Sequence, residues 1–358
     1  MITSILSFIL VIGVLVFFHE LGHFLAAKSV GVRVEKFYLG FNFFGLGWKT
    51  EYKGTEYGIG LFPLGGYVKV AGIIDESMET EYTGAPDEFR SKNTLQKIWI
   101  MSAGVIMNFL LAIIIISHLT YHNGVNIPDP RAIVGQVIPD YPAENLGLQE
   151  GDKILSINGV QVIDWAEMTR DIHSKPDELI NLSWKRSENI FTGSVKTVIA
   201  EQQLPWNKEI IQGMIGIIPI INHRDATIIE SFSNGCLRTY YWLELTYRSL
   251  VALMSGDVSM KEMAGPIMIA KMAGETASSG GIFALLGLMA IISVNLGLIN
   301  ILPIPGLDGG HVLIALIEGT IRRDLPIKVK LGIQQAGLLL ILILFITIMI
   351  NDIQRLFQ

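Results

Sequence analysis

Four separate stretches of this chain are apolar enough, for long enough, to cross a lipid bilayer, and nothing else in the sequence limits the fold so strongly. A helix needs about 20 mainly apolar residues to span the hydrocarbon core. The stretches cover residues 2–27, 98–119, 282–302 and 331–350. The first carries no charge before His19 and Glu20. It lacks the basic start and small-residue cleavage site of a secretory leader, so it reads as a retained span. Because only helices and closed barrels satisfy their backbone in lipid, the fold class is an α-helical membrane protein with about four transmembrane helices. A composition of 50% hydrophobic and 17% charged residues agrees with that reading.

Basic residues orient the spans. Between the first and second lie Lys28, Arg33, Lys36, Lys49, Lys53, Lys69, Arg90, Lys92 and Lys97; between the third and fourth lie Arg322, Arg323, Lys328 and Lys330. No Lys or Arg precedes the first span. By the positive-inside rule both loops face the cytoplasm, and both termini and residues 120–281 lie outside. The net charge of −6, with no basic run among aromatics, argues against a nucleic-acid partner. A single cysteine, Cys236, excludes an intrachain disulfide and any multi-cysteine metal site.

The chain then divides into four parts. Residues 1–130 are an N-terminal membrane part whose cytoplasmic loop, at 50–72, carries β-structure. Tyr57–Leu61 alternates and Leu64–Val70 follows Pro63, which predicts two short strands around a turn, a hairpin or small sheet. Residues 75–91 read as a mobile acidic segment. Residues 131–204 form an extracytoplasmic α+β domain, in which Ile154–Ile157 runs into the tight-turn pair Asn158-Gly159. Residues 205–281 are a linker with amphipathic helices; within it 238–253 lies on the membrane surface or packs on its own domain. Residues 282–358 complete the membrane part.

His19-Glu20-Leu21-Gly22-His23 carries the sharpest chemistry. Histidines at i and i+4 share one helix face, where a single Zn²⁺ can take both, and the glutamate between them can serve as general base on a metal-bound water. An ionisable cluster at the end of an apolar span is expensive, which makes a functional site the default reading. Catalytic zinc takes three protein ligands and keeps a position for water. The third ligand is expected from Asp308, in the run Asn300-Ile-Leu-Pro303-Ile-Pro305-Gly-Leu307-Asp308-Gly309-Gly310 after the third span. Asp308 could also cap a helix over 312–319, and His311 is a rival ligand. Pro303 and Pro305 break the helix, and irregular backbone at membrane depth belongs in a buried or wet cavity. Asn300 could donate to an oxyanion or bond across helices. Gly104 and Asn108, at i and i+4 on the second span, fit structural support of the histidine helix.

Together, His19–His23, Gly104-x-x-x-Asn108 and Asn300…Leu307-Asp308-Gly309, with Gly265-Pro266-Ile267 before the third span, resemble the site-2 protease family of intramembrane zinc metalloproteases, in its bacterial regulator-of-sigma-E branch. The resemblance covers essentially the whole chain. It implies Zn²⁺ on His19, His23 and Asp308, with Glu20 as catalytic base. It implies regulated intramembrane proteolysis of single-span membrane proteins, such as trimmed anti-sigma factors, in the bacterial inner membrane, with the active site toward the cytoplasm. Tyr57–Val70 then resembles a membrane-associated β-loop, where Gly58, Gly60, Gly65 and Gly66 would admit an unwound substrate strand. Residues 131–204, from Pro142-Ala143 through Leu146-Gly147-Leu148 and Gly151-Asp152 to Asn158-Gly159, are similar to a PDZ domain. There is room for one such domain where well-known members carry two; it would bind a peptide tail or exclude bulky substrates. A metal transporter or inactive scaffold is the competing class, but transport does not need the base that the His-Glu-x-x-His spacing supplies, and no internal repeat is visible. A pure peptide-binding adaptor leaves the membrane cluster unexplained.

Overall fold

The computed structural model describes residues 2–42, 47–73, 83–203 and 209–357. In chain order the elements are α1 (Ile2–Ser29), β1 (Val34–Phe41), β2 (Gly47–Tyr52), β3 (Thr55–Gly60), β4 (Phe62–Val70), α2 (Thr94–Asn123), β5 (Val125–Pro128), β6 (Val134–Val137), α3 (Pro142–Asn145), β7 (Lys153–Ile157), β8 (Val160–Gln161), α4 (Trp165–His173), β9 (Leu179–Arg186), β10 (Asn189–Lys196), β11 (Val198–Gln203), β12 (Glu209–Met214), β13 (Ile217–Pro219), β14 (Ile221–Arg224), α5 (Ile228–Ser255), α6 (Pro266–Ile301), α7 (Asp308–Ile321) and α8 (Ile327–Leu356). They form two compact units. One comprises residues 1–119, 228–247 and 259–358, the other residues 120–227 and 248–258.

In the first unit α1, α2, α6 and α8 are each long and apolar enough to cross a membrane. Their outward faces carry large apolar side chains, such as Leu6, Leu110, Leu339 and Phe345. Against water these faces would be an aggregation surface; against lipid tails they are the ordinary exterior. The helices extend past the apolar stretches because polar residues finish their ends. Asn93 and Gln96 form a reciprocal capping box at the start of α2, with Gln96 N–H donating to Asn93 Oδ1 at 2.9 Å and Asn93 N–H to Gln96 Oε1 at 3.2 Å. The start of α6 is capped from another helix. Asp352 of α8 is fully buried and accepts N–H bonds from Gly265 (2.9 Å), Ile267 (2.9 Å) and Met268 (3.1 Å). A Cβ on Gly265 would lie 2.6 Å from Asp352 Oδ2, so only glycine lets the carboxylate approach. Gly281, at φ 62° and ψ −154°, breaks α6 into a lead-in segment and the span proper.

The strands between α1 and α2 form one sheet in the order β2-β3-β1-β4. The two strands expected to lie around a turn, here β3 and β4, are therefore not partners. β1 lies between them, parallel to β3 and antiparallel to β4. The reason lies in Val34–Phe41, whose apolar and aromatic residues supply a third strand that outcompetes the local pairing. Phe24 of α1 meets Phe37 and Tyr57 of the sheet at ring-centroid distances of 5.2 and 6.0 Å, which docks the sheet on α1. Residues 74–82 of the acidic segment lie outside the described residues. Glu88, at its end, is buried and accepts from Thr83 Oγ1 (2.7 Å) and from the Thr83 and Gly84 N–H groups (3.2 Å each), so it is fixed.

The second unit is built on a sheet in the order β10-β9-β7-β8. Its core joins Ile154, Ile157, Met168, Ile172, Ile180, Leu182 and Trp184. Asn158 and Gly159 both have positive φ (49° and 81°) and turn β7 into β8, as the dipeptide predicts. This unit is wider than residues 131–204. Residues 209–224, read from sequence as linker, supply β12, β13 and β14, which pair with β11, β6 and β5. Short apolar runs such as Ile215–Ile218 do not announce by themselves which distant strand they will join.

Candidate metal centre

The geometry of an α-helix puts His19 and His23 one turn apart on α1, and both are buried. Asp308 is the first residue of α7, and Leu307 holds the N-cap position without a side-chain bond. The Asp308 carboxylate is thus not spent on capping; it faces the histidines. His19 Nε2 lies 3.2 Å from Asp308 Oδ2, His23 Nε2 lies 3.3 Å from the same oxygen, and the two Nε2 atoms are 3.3 Å apart. No other residue joins this group of potential metal donors among the described residues.

The chain between α6 and α7 is irregular, with Pro303, Pro305 and Gly306 (φ 90°) forbidding a continuous helix. Gly309 sits against the Ile301 and Leu302 carbonyls and Gly310 against Ile304 and Pro305, too close for any side chain. These contacts fold the return tightly enough to bring Asp308 back to α1.

Behind the triad, α2 orients the imidazoles. His23 Nδ1 donates to the Ile100 carbonyl at 2.8 Å, which leaves its Nε2 lone pair directed at Asp308. His19 Nδ1 is 3.1 Å from the side-chain amide of Asn108, a fully buried residue whose main-chain carbonyl accepts from Ser293 Oγ at 2.7 Å. With the nitrogen of the Asn108 amide toward His19, its Oδ1 has no partner. A half-turn of the amide presents Oδ1 to Nδ1–H and satisfies both groups, the arrangement a metal-binding histidine requires. Gly104 makes this approach possible: a Cβ there would meet His23 Nε2 and lie 2.7 Å from His19 Cε1. Asn300, near the end of α6, places Nδ2 3.4 Å from His19 Nε2, on the metal-facing side. His311 turns away and pairs with Gln334 Nε2 at 3.2 Å.

Glu20 has a partner that sequence reading did not supply: Val68 N–H of β4 donates to its Oε2 at 3.0 Å. Among the glycines expected near a substrate, Gly65 and Gly66 are on β4, the strand that touches Glu20. Gly66 lets β4 close on α1 and β1, since a Cβ would lie 2.7 Å from Tyr38 O and 3.3 Å from Val16 Cγ1. Gly58 and Gly60 are on β3, with β1 between them and β4. Gly58 makes room for the Tyr38 ring and Gly60 pairs with Gly47, so both serve packing of the sheet.

The donor set fits zinc. Tetrahedral Zn–N and Zn–O bonds of 2.0–2.1 Å put neighbouring donors about 3.3–3.4 Å apart, and the three separations here are 3.2, 3.3 and 3.3 Å. Asp308 Oδ2 is buried and accepts no hydrogen bond, as expected of an oxygen reserved for a cation.

Peptidase family M50 matches residues 7–344, and the chain belongs to this family, the site-2 proteases. It is a membrane-spanning zinc metalloprotease whose cofactor is Zn²⁺. A protein of Campylobacter jejuni that bears a zinc metalloprotease name is 35% identical over 359 residues, covering 98% of this chain and 93% of its own length. Zinc metalloprotease RasP of Geobacillus kaustophilus is 28% identical over 427 residues, covering 99% of this chain and 98% of its own length. A PDZ domain of the SdrC-like protein Lmo2051 from Listeria monocytogenes is 23% identical, with a TM-score of 0.22, over 27% of this chain and 94% of the domain.

Proposed function

We propose that His19, His23 and Asp308 hold the zinc and that Glu20 is the proton-accepting base of an intramembrane protease acting on single-span membrane proteins. The observation that carries this reading is the equilateral set of donor atoms, 3.2–3.3 Å apart, around a buried carboxylate oxygen with no hydrogen-bond donor. Zinc held there supplies a Lewis acid and makes a nucleophile of water at neutral pH. Glu20 does the proton work. Its Oε2 is fixed by Val68 N–H, which leaves Oε1 to take a proton from the attacking water and return it to the departing amine. Asn300 is placed to donate to the substrate carbonyl oxygen as charge develops.

Helical peptide bonds are shielded by their own hydrogen bonds, so a substrate must be unwound before it is cut. Among the described residues β4 ends its sheet, with β1 as its one neighbour. Its outer edge can receive an extended segment beside Glu20, and Gly65 and Gly66 lie on that strand. The basic residues of 28–97 and 322–330 favour a cytoplasmic position for this sheet and the metal centre, with both termini extracytoplasmic, in a bacterial inner membrane. Substrates such as trimmed anti-sigma factors fit that setting. The α+β unit beginning near residue 131 serves as a single PDZ-like domain that binds a peptide tail or screens out bulky partners.

The deciding experiment compares wild type with Glu20→Gln in detergent, measuring zinc content and cleavage of a generic single-span substrate. Both proteins are expected to carry about one zinc per chain, and cleavage is expected to fall about 10²–10⁴-fold in the variant. Zinc bound with no cleavage by wild type of several trimmed substrates would favour a transporter or scaffold and move the assay to metal flux in liposomes.

A further inference from the structure

We infer that Glu318 is a positioning residue of the metal centre, tying the helix that carries Asp308 to the helix that orients both histidines. The inference rests on the assignment of Asp308 as a ligand. Glu318 is ten residues along α7 from Asp308, about 15 Å at 1.5 Å per residue. It is 7% exposed, an unusual burial for a glutamate. Its Oε1 accepts from Lys330 Nζ of α8 at 2.5 Å and from Leu325 N–H at 2.7 Å. Its Oε2 lies 3.9 Å from Lys97 Nζ of α2, an ammonium equally buried and 3.6 Å from Asp324 Oδ1.

Lys97 stands one turn before Ile100, whose carbonyl receives His23 Nδ1–H, on the same helix as Gly104 and Asn108. The ion cluster therefore joins the carboxylate's helix to the helix that sets the imidazoles. Three glycines of α7 also lie against neighbouring chain. Gly309 and Gly310 lie on the return backbone, and Gly319 lies against Thr94, where a Cβ would be 2.7 Å from Thr94 Oγ1. Glycine contacts leave a helix free to slide and rotate, whereas Glu318 holds α7 by hydrogen bonds from Lys330 and Leu325 N–H and by the ion contact with Lys97. A cavity of about 40 Å³, bordered by Lys97, His311, Glu318, Lys330 and Gln334, gives α7 room to shift once those bonds are lost.

The test uses the full chain in detergent and reads zinc affinity by chelator competition and the visible spectrum of the Co²⁺-substituted protein. Glu318→Gln is expected to lower zinc affinity about 2–30-fold, the range for residues that act on a site without touching its ligands, and to shift the Co²⁺ bands; Glu318→Asp should restore part of both. Asp352→Ala, which removes the cap on α6, should lower the melting temperature and leave affinity and spectrum unchanged. If Glu318→Gln does not accumulate, Lys97→Met removes the same tie from α2 and must show the same losses. Wild-type affinity and an unshifted spectrum in Glu318→Gln would overturn the inference. Asp308→Ala separates the two readings: if it keeps its zinc, the ligand assignment fails, and if it alone loses zinc, only the role of Glu318 fails.

Discussion

Asp152 in the second unit and Asp308 in the first are both withdrawn from solvent, yet their surroundings differ in kind. Asp152, fully buried, receives Arg186 Nε at 2.8 Å, Arg186 Nη2 at 2.7 Å and Gln149 N–H at 2.9 Å. Its charge is balanced within its own chain. Asp308 Oδ2 faces two imidazole nitrogens and receives no hydrogen bond. A buried carboxylate can be stabilised by donors folded around it or by a cation from outside. The first solution stabilises a domain, and the second is the arrangement we propose to hold zinc. That contrast, more than the identity of either residue, separates structural from functional burial here.

The comparison can be broken at several points. The largest effect after loss of the base is expected from Asp308→Ala, which should take zinc content from about one per chain to well below half at equal protein folding, measured by metal analysis after gel filtration. Next, Asp152→Ala leaves Arg186 with the Gly147 carbonyl and the face of Phe191 but no carboxylate from Asp152. It should lower the melting temperature of the second unit by several degrees while zinc content stays at the wild-type value. Zinc loss in that variant would mean that the two kinds of burial are not separable. Asn108→Ala should weaken zinc about 10–100-fold without abolishing it, because it removes the partner of His19 and not a ligand; chelator competition reads the difference.

The smallest effect concerns pH. Hydrogen bonds from Arg131 hold the carboxyl of Asp129 well below its usual range, with help from the Arg131 backbone N–H and from Asn222. A depressed carboxyl favours the folded state above its unfolded pKa, about 3.9, and that contribution is lost as pH falls toward the folded value. The second unit should therefore lose stability as pH falls below about 4, and Asp129→Asn should flatten that dependence in a melting series. An unchanged slope would assign the acid sensitivity elsewhere.

The sequence was most legible where covalent spacing forces geometry. Two histidines four apart on a helix must share a face, so His19 and His23 could be paired without coordinates. Four apolar runs of spanning length must become helices, because lipid offers the backbone no other partner. The Asn158-Gly159 turn follows from the ease with which both residues take positive φ. It was least legible where pairing depends on distance. The aromatic and apolar residues of Val34–Phe41 could have marked β1 as a strand, but nothing local says that it separates β3 from β4. Residues 209–224 look like linker until β6 and β5 are in place to pair with them.

What the amino-acid order determined by itself is the set of spans, the histidine pair and the presence of a suitable carboxylate beyond a proline-broken turn. Tertiary structure alone decided which donor each of those residues would find. The meeting of Asp308 with His19 and His23, the Ile100 carbonyl behind His23, Val68 N–H on Glu20 and the buried Glu318 between Lys97 and Lys330 all join residues far apart in the chain. Hydrogen bonds and ion contacts act over a few ångströms and are indifferent to sequence distance, so local pattern can nominate such residues but only packing can introduce them.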